Sequence, residues 1–267
     1  MKKNLIAVVV IILLGGGIAA YLYWQHAQPQ PEPAQVEVPP PALPLAPNQV
    51  VQQVIEAPPT QPELPKLNES DKLMLETLAG LLHNKALMLL FYNEQIIHNI
   101  VATIDNLPRS RMPGSVMPVQ RVHGQFIIEG TENDKTISPK NAMRYSVYVR
   151  ITEVIETQKL VEAYILLYPL FQQAYNELGY PKKYFNDRLL EVLDHLLAAP
   201  DLKEPVKLVR PNVIYLYADP DLEARSAGQK ILMRMGSKNE AKIKDKLREI
   251  KQQLMLHMHN KKVDKTQ

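Results

Sequence analysis

The chain has 267 residues, a hydrophobic fraction of 46%, a formal net charge of +3 and no cysteine. That length and apolar content suffice for one or two domains with a real core. The missing cysteines exclude structural disulfides and lipoprotein anchoring.

Residues 5–24, LIAVVVIILLGGGIAAYLYW, form an uninterrupted uncharged apolar run, close to the roughly 20 residues a helix needs to span a bilayer. Lys2 and Lys3 precede it, no Lys or Arg follows until Lys66, and Tyr21, Tyr23 and Trp24 cluster at its far end. Basic residues stay inside and aromatic side chains favour the interface. The pattern predicts a cytoplasmic stub over 1–4, a transmembrane helix over 5–24, and the rest of the chain outside. The same segment also fits a cleaved signal peptide, with Leu5 to Leu14 as its apolar region and Gly17 and Ala19 at the cut.

Residues 25–65 read as a disordered linker. Twelve of the 22 prolines fall between Pro29 and Pro65, with Glu32, Glu37, Glu56 and Glu63 as the acidic residues there. Extended at about 3.1 Å per residue, the stretch reaches on the order of 100 Å. Within it, NQVVQQVIEA (48–57) is a loop or a short partner-binding segment.

A single mostly α-helical domain is predicted over 66–258, with a small β-hairpin insertion and a disordered tail over 259–267. Asn68 or Ser70 caps a first helix whose Leu73, Leu75, Leu78, Leu81 and Leu82 face inward. A second, from about Glu94 to Leu107, spaces Ile97, Ile100, Val101 and Ile104 helically before Pro108. Its Glu94, His98 and Asp105 share the opposite, wet arc. GQFIIEGTENDKTISP reads as the hairpin, and Ser138 followed by Pro139 starts a further helix. The helix over about Gln158 to Leu178 contains Pro169, and Gly179 ends it. Pro181 opens the next. The stretch EPVKLVRPNVIYLYADPDLEA is extended or a broken helix. Two basic helices close the chain, around Leu222 to Met235 and from Lys238 to Met258.

The helix after Pro181 carries the densest polar chemistry. At about 100° per residue, Tyr184, Asp187, Arg188, Glu191, Asp194 and His195 fall on one arc, and Phe185, Leu189, Leu190, Val192, Leu193, Leu196 and Leu197 fill the other. This is a solvated or interface face. The row Asp187, Glu191, His195, at (i, i+4) steps, can alternatively hold a divalent ion or share a proton if it faces a cleft. No cofactor is implied, and no metal site is assigned.

Other chemistries lack their residues. There is no Cys nucleophile, G-x-S-x-G elbow, H-E-x-x-H, P-loop or Rossmann fingerprint. Ser226 and Lys230 in SAGQK sit in a helical context that disfavours a Ser/Lys pair. Arg225 to Lys265 holds twelve Lys or Arg against four acids, yet the predicted topology keeps this segment from nucleic acid, and it has no aromatic stacking platforms. Ile243, Leu247, Ile250 and Leu254 instead mark a docked helix or one packing on a partner helix, with contact to anionic lipid or an acidic cell-wall polymer as a further reading.

The strings VATIDNLPR, NELGYPKKYFNDRLLEVLDHLLAAP, VKLVRPNVIYLYADPDLEARSAGQKILMRMG and KLREIK resemble the signature segments of an uncharacterised bacterial family known only as a domain of unknown function. Its members share an N-terminal membrane segment, a proline-rich spacer and one C-terminal domain. The resemblance, over about 63–255, implies a shared fold and a Gram-negative envelope location. It transfers no catalytic residue. It directs attention to Asp105, Asn106, Arg109, Asn186, Arg188 and Arg210 as a common interaction surface. The resulting expectation is a single-pass inner-membrane protein, anchored in the bilayer through 5–24, whose periplasmic domain serves as an interaction or scaffold module for an envelope protein or peptidoglycan. The alternative is an envelope enzyme acting on peptidoglycan through Asp187, Glu191 and His195.

Overall fold

The computed structural model describes residues 63–131, 134–203, 205–211 and 213–264, with backbone alone from 258 onward. The predicted span, the linker and its 48–57 segment lie outside the described residues. Among the described residues no helix is long and apolar enough to cross a membrane.

The described chain is mainly helical. A 3-10 turn, Leu67–Glu69, leads into α1 (Asp71–Leu82). Ser70 precedes it, but its hydroxyl donates to the Leu67 carbonyl and not to the helix. The Asp71 carboxylate instead accepts the Gln95 and Ile96 N–H groups, both at 2.8 Å. It thereby satisfies orphan donors at the start of α3 (Ile96–Asn106), a helix 24 residues further on. Between them lies α2 (Lys85–Met88), a single turn capped by the Asn84 side chain.

The long helices follow. These are α4 (Asn141–Val154), α5 (Thr157–Glu177, with Pro169 inside it) and α6 (Phe185–Leu197). Residues 181–184 form a turn, so α6 starts four residues after the proline expected to open it. The predicted helix over Leu222 to Met235 divides into α7 (Pro220–Glu223) and α8 (Ala227–Arg234). Ser226 explains the division: its oxygen accepts the Gln229 N–H at 3.2 Å as an N-cap. The pattern Ser-x-x-Gln is a capping-box signature for a helix start. The final helix, α9 (Ser237–Asp264), runs past the predicted Met258 boundary.

The hairpin is part of something larger than an insertion. Strands β1 (Ile128–Thr131) and β2 (Asp134–Ile137) pair antiparallel, with Ile128 opposite Ile137. Gly130 adopts φ +98°, and a Cβ there would sit 2.0 Å from the Asp134 carbonyl oxygen, so this position of β1 requires glycine. The ambiguous stretch after Pro200 is extended. It adds β3 (Lys207–Val209) to β2 and β4 (Leu216–Tyr217) to β3, completing a four-stranded antiparallel sheet in chain order.

Packing follows the apolar stripes. Ile96, Ile97 and Val101 of α3 meet Leu167, Leu170 and Phe171 of α5 and Phe185 of α6 in the main core. The Phe171 and Phe185 rings stack with centroids 5.9 Å apart. Each such fully buried side chain contributes about 1.5–3 kcal/mol. Val192 and Leu196 of α6 join Leu232 and Met235 around α8. As expected, α9 docks by its apolar stripe: Leu254 is buried against Val161 and Leu193, with Leu247 and Ile250 beside it. Lys244 of this basic helix is buried as well, bonded to the Ala199 carbonyl and to Asp201, both at 2.6 Å.

Candidate functional site

The end of α3, the first turns of α6 and the start of α8 converge at one junction. These elements bear the strings VATIDNLPR, NDRLLEVLDHLL and SAGQK. The last turn of a helix has carbonyls with no partner of their own. Here the Ala227 N–H donates to the Arg109 carbonyl at 2.7 Å, and the Gly228 N–H to the Leu107 carbonyl at 2.9 Å. The first donors of α8 thus serve the acceptors at the end of α3. A Cβ on Gly228 would lie 2.7 Å from Leu196 Cδ2 and 3.0 Å from the Leu107 oxygen, so this close approach needs a residue without a side chain.

At the centre of the junction is Asp105. Helical spacing puts it on the polar arc of its helix, but its side chain is only 3% exposed. Two arginines account for the difference. Arg109 Nη2 donates to Oδ2 at 2.5 Å, Arg188 Nε donates to Oδ1 at 3.0 Å, and Arg188 Nη2 donates to the Asp105 backbone carbonyl at 2.8 Å. The Tyr180 hydroxyl donates to Oδ2 at 3.4 Å and accepts from Arg109 at 3.2 Å. A buried carboxylate is tolerated only when paired and hydrogen-bonded in this way. The bond to Asp105 raises the Arg109 pKa above its ordinary value. For Arg188, burial pulls the pKa down, but Glu191 and Asp105 outweigh it and leave it raised.

The acidic row of α6 does not act as a unit. Glu191 pairs with Arg188 Nη1 at 2.9 Å and is two-thirds exposed. Asp187 makes no ion pair among the described residues, and partial burial raises its carboxyl pKa. His195 turns to α8, where its Nε2 lies 2.8 Å from the Ser226 hydroxyl. Gln229 Nε2 donates to the His195 carbonyl at 2.9 Å. Burial lowers the His195 pKa, with Glu191 opposing the shift. Asp194 pairs with Lys251 of α9. Among the described residues, no group of three or more His, Asp or Glu is placed to hold a metal ion.

The Ser226 and His195 pair has the spacing of a nucleophile and base. The hydroxyl is nonetheless buried and already accepts the Gln229 N–H, so its visible work is joining two helices.

Of the residues expected on a common surface, the junction gathers Asp105, Asn106, Arg109 and Arg188. Two of the six need correction as surface residues. Asp105 is buried for the reason given, and Asn186 is fully buried beneath Tyr164, whose hydroxyl lies 3.4 Å from its Oδ1. Asn106 donates back along its own helix to the Ala102 carbonyl at 2.7 Å. Arg210 lies elsewhere, on the β3–β4 hairpin. Its guanidinium stands over the Tyr215 ring at 5.0 Å and donates to the Val213 carbonyl at 3.2 Å. Tyr180 and Ser226 had not been singled out for the junction. The capping signature would have marked Ser226 as a helix start, but no local pattern points Tyr180 at a residue 75 positions away.

The β3–β4 hairpin ends in an apolar tip. Val209, Val213 and Ile214 are 45%, 81% and 66% exposed. Arg210 at this tip has no ion pair among the described residues, and Lys135 also stands over Tyr215, at 5.7 Å.

No curated protein and no solved structure matches the chain. The family described as a protein of unknown function, DUF3014, matches residues 96–251. That span is more than half of the chain and runs from α3 into α9, taking in the whole junction, the sheet and the hairpin tip. The chain therefore belongs to the DUF3014 family.

Proposed function

We propose that the protein is a membrane-anchored interaction module of the bacterial envelope, which docks a partner protein through the tip of the β3–β4 hairpin. The observation that carries this reading is the exposed apolar trio Val209, Val213 and Ile214 beside Arg210, which has no ion pair among the described residues. Clustered exposed apolar side chains rimmed by charge are a feature of interaction surfaces. A cation so placed favours a partner segment that is apolar with acidic flanks. The apolar run over 5–24 and the basic residues before it support an inner-membrane anchor, with the domain on the periplasmic side. The dispersal of Asp187, Glu191 and His195 to different environments weighs against the peptidoglycan enzyme.

A photo-crosslinking residue at Val213 of the full-length chain, expressed in cells, tests the docking. The expected result is one discrete protein adduct, lost on Ile214→Glu and not formed from the exposed position Lys72. Failure to give an adduct beyond the Lys72 control, or an adduct indifferent to Ile214→Glu, overturns it. Topology is tested separately by C-terminal fusions. Alkaline phosphatase should be active there and green fluorescent protein dark; the reverse pattern refutes the periplasmic assignment and restores nucleic acid as a ligand.

A further inference from the structure

Between the sheet and α4 and α8 lies an open pocket of about 510 Å³, within the range of small-ligand sites. Phe126, Ile137 and Leu208 supply an apolar wall, and Tyr145 and Tyr217 add aromatic surface. Two arginines, Arg144 and Arg234, also line it, and neither forms an ion pair with a described residue. Arg144 is committed to neutral acceptors: it donates to the His123 and Gly124 carbonyls and to Asn141 Oδ1. Arg234 stands 5.9 Å from the centre of the Tyr217 ring and acts on its hydroxyl, short of a hydrogen bond of ordinary geometry. The one carboxylate in the lining, Glu223, is engaged by Lys230 at 2.5 Å and by the Tyr217 N–H at 3.0 Å. The pocket therefore holds unneutralised positive charge over an apolar wall.

One further group is out of place. The Tyr217 side chain is 97% buried by its 3% exposure, and its hydroxyl meets no partner at hydrogen-bond geometry. Buried hydroxyls are ordinarily paired, and an unmade bond costs stability. Burial pushes the Tyr217 pKa up to about 12 against the pull of Arg234, so the hydroxyl keeps its proton and can donate it.

We propose that this pocket binds a small monocarboxylate with an apolar or aromatic body, its carboxylate held by Arg234 and the Tyr217 hydroxyl and its body against Phe126, Ile137 and Leu208. An arginine offers a carboxylate up to two parallel bonds, and the field of Arg144 adds to the attraction. The proposal goes beyond the docking role and stands without it.

The test is calorimetric titration of the full-length protein in detergent with N-acetylphenylalanine and with hexanoate, each against its neutral amide. These arms represent the two sources of the chemistry, a peptide C-terminus and a short acyl chain. The expected result is at least one acid binding about tenfold or more tighter than its amide, the tighter arm naming the source. Tyr217→Phe should weaken that acid about tenfold, leave the amide unchanged, and leave the melting temperature little changed, because the hydroxyl makes no protein hydrogen bond of ordinary geometry. A purely structural tyrosine would not separate affinity from stability in this way. Arg234→Gln should abolish the preference for acid over amide. Neither acid binding at millimolar concentration, acids and amides binding alike, or Tyr217→Phe binding the acid as wild type does would each overturn the proposal. Should Arg234→Gln fail to fold, the Tyr217→Phe comparison still decides.

Discussion

Replacing Asp105 by Asn removes one charge from the junction while preserving the side chain's shape. Its partners differ in exposure: the Arg188 side chain is 18% exposed and that of Arg109 is 52% exposed. The Arg188 bond is thus made in a largely water-free setting, where a hydrogen bond to an ionised group contributes about 1.5–3 kcal/mol. The Arg109 bond is half in solvent and contributes no more than about 1 kcal/mol. Breaking a fully buried pair costs about 3–5 kcal/mol. Here Arg188 keeps Glu191 and the Asp105 carbonyl as partners, so the loss should fall at about 2–4 kcal/mol. For a domain of this size that lowers the melting temperature by about 5–15 °C. Urea unfolding followed by far-ultraviolet circular dichroism measures it, with Arg188→Gln and the double variant closing a cycle. An Asp105→Asn protein within about 0.5 kcal/mol of wild type, or losses that simply add in the double variant, would show that the buried carboxylate does not organise the junction.

Two other outcomes follow from the same helices. His195 has a pKa lowered in the folded chain from the ordinary 6.5, so below that pH the unfolded chain binds more protons. Its contribution is present above about pH 6.5 and is lost as pH falls toward the folded value; stability measured from pH 7 to pH 5 should decline more steeply in wild type than in His195→Gln, and equal slopes would contradict the shift. Gly228→Ala should destabilise the fold by about 1–3 kcal/mol, since its methyl group would press on Leu196 and the Leu107 carbonyl; an unchanged urea midpoint would show that α8 can move away from α3 without cost.

Helix identity was legible because it depends on local spacing. Ile97 and Val101 recur on one face, as do Leu247, Ile250 and Leu254, and both sets are packed inward. The β1–β2 hairpin announced itself through two β-prone runs around a glycine-bearing turn. The burial of Asp105 was not legible, because a helical wheel orders residues around their own axis and says nothing of what the polar arc meets. The arc lost its solvent when Arg188, 83 residues away in sequence, covered it.

The sequence by itself determined the long helices, which of their faces are apolar, and that twenty uncharged residues follow two lysines at the N-terminus. Periodicity, capping residues and hydropathy act over a few neighbours and are therefore written locally. Tertiary structure alone decided that Asp71 caps α3, that α8 serves the carbonyls ending α3, and that β3 and β4 extend the hairpin into a sheet. The backbone groups at helix ends and strand edges carry no label for their partners. Which donor reaches which acceptor is settled only when the apolar faces have packed and brought distant segments within bonding distance.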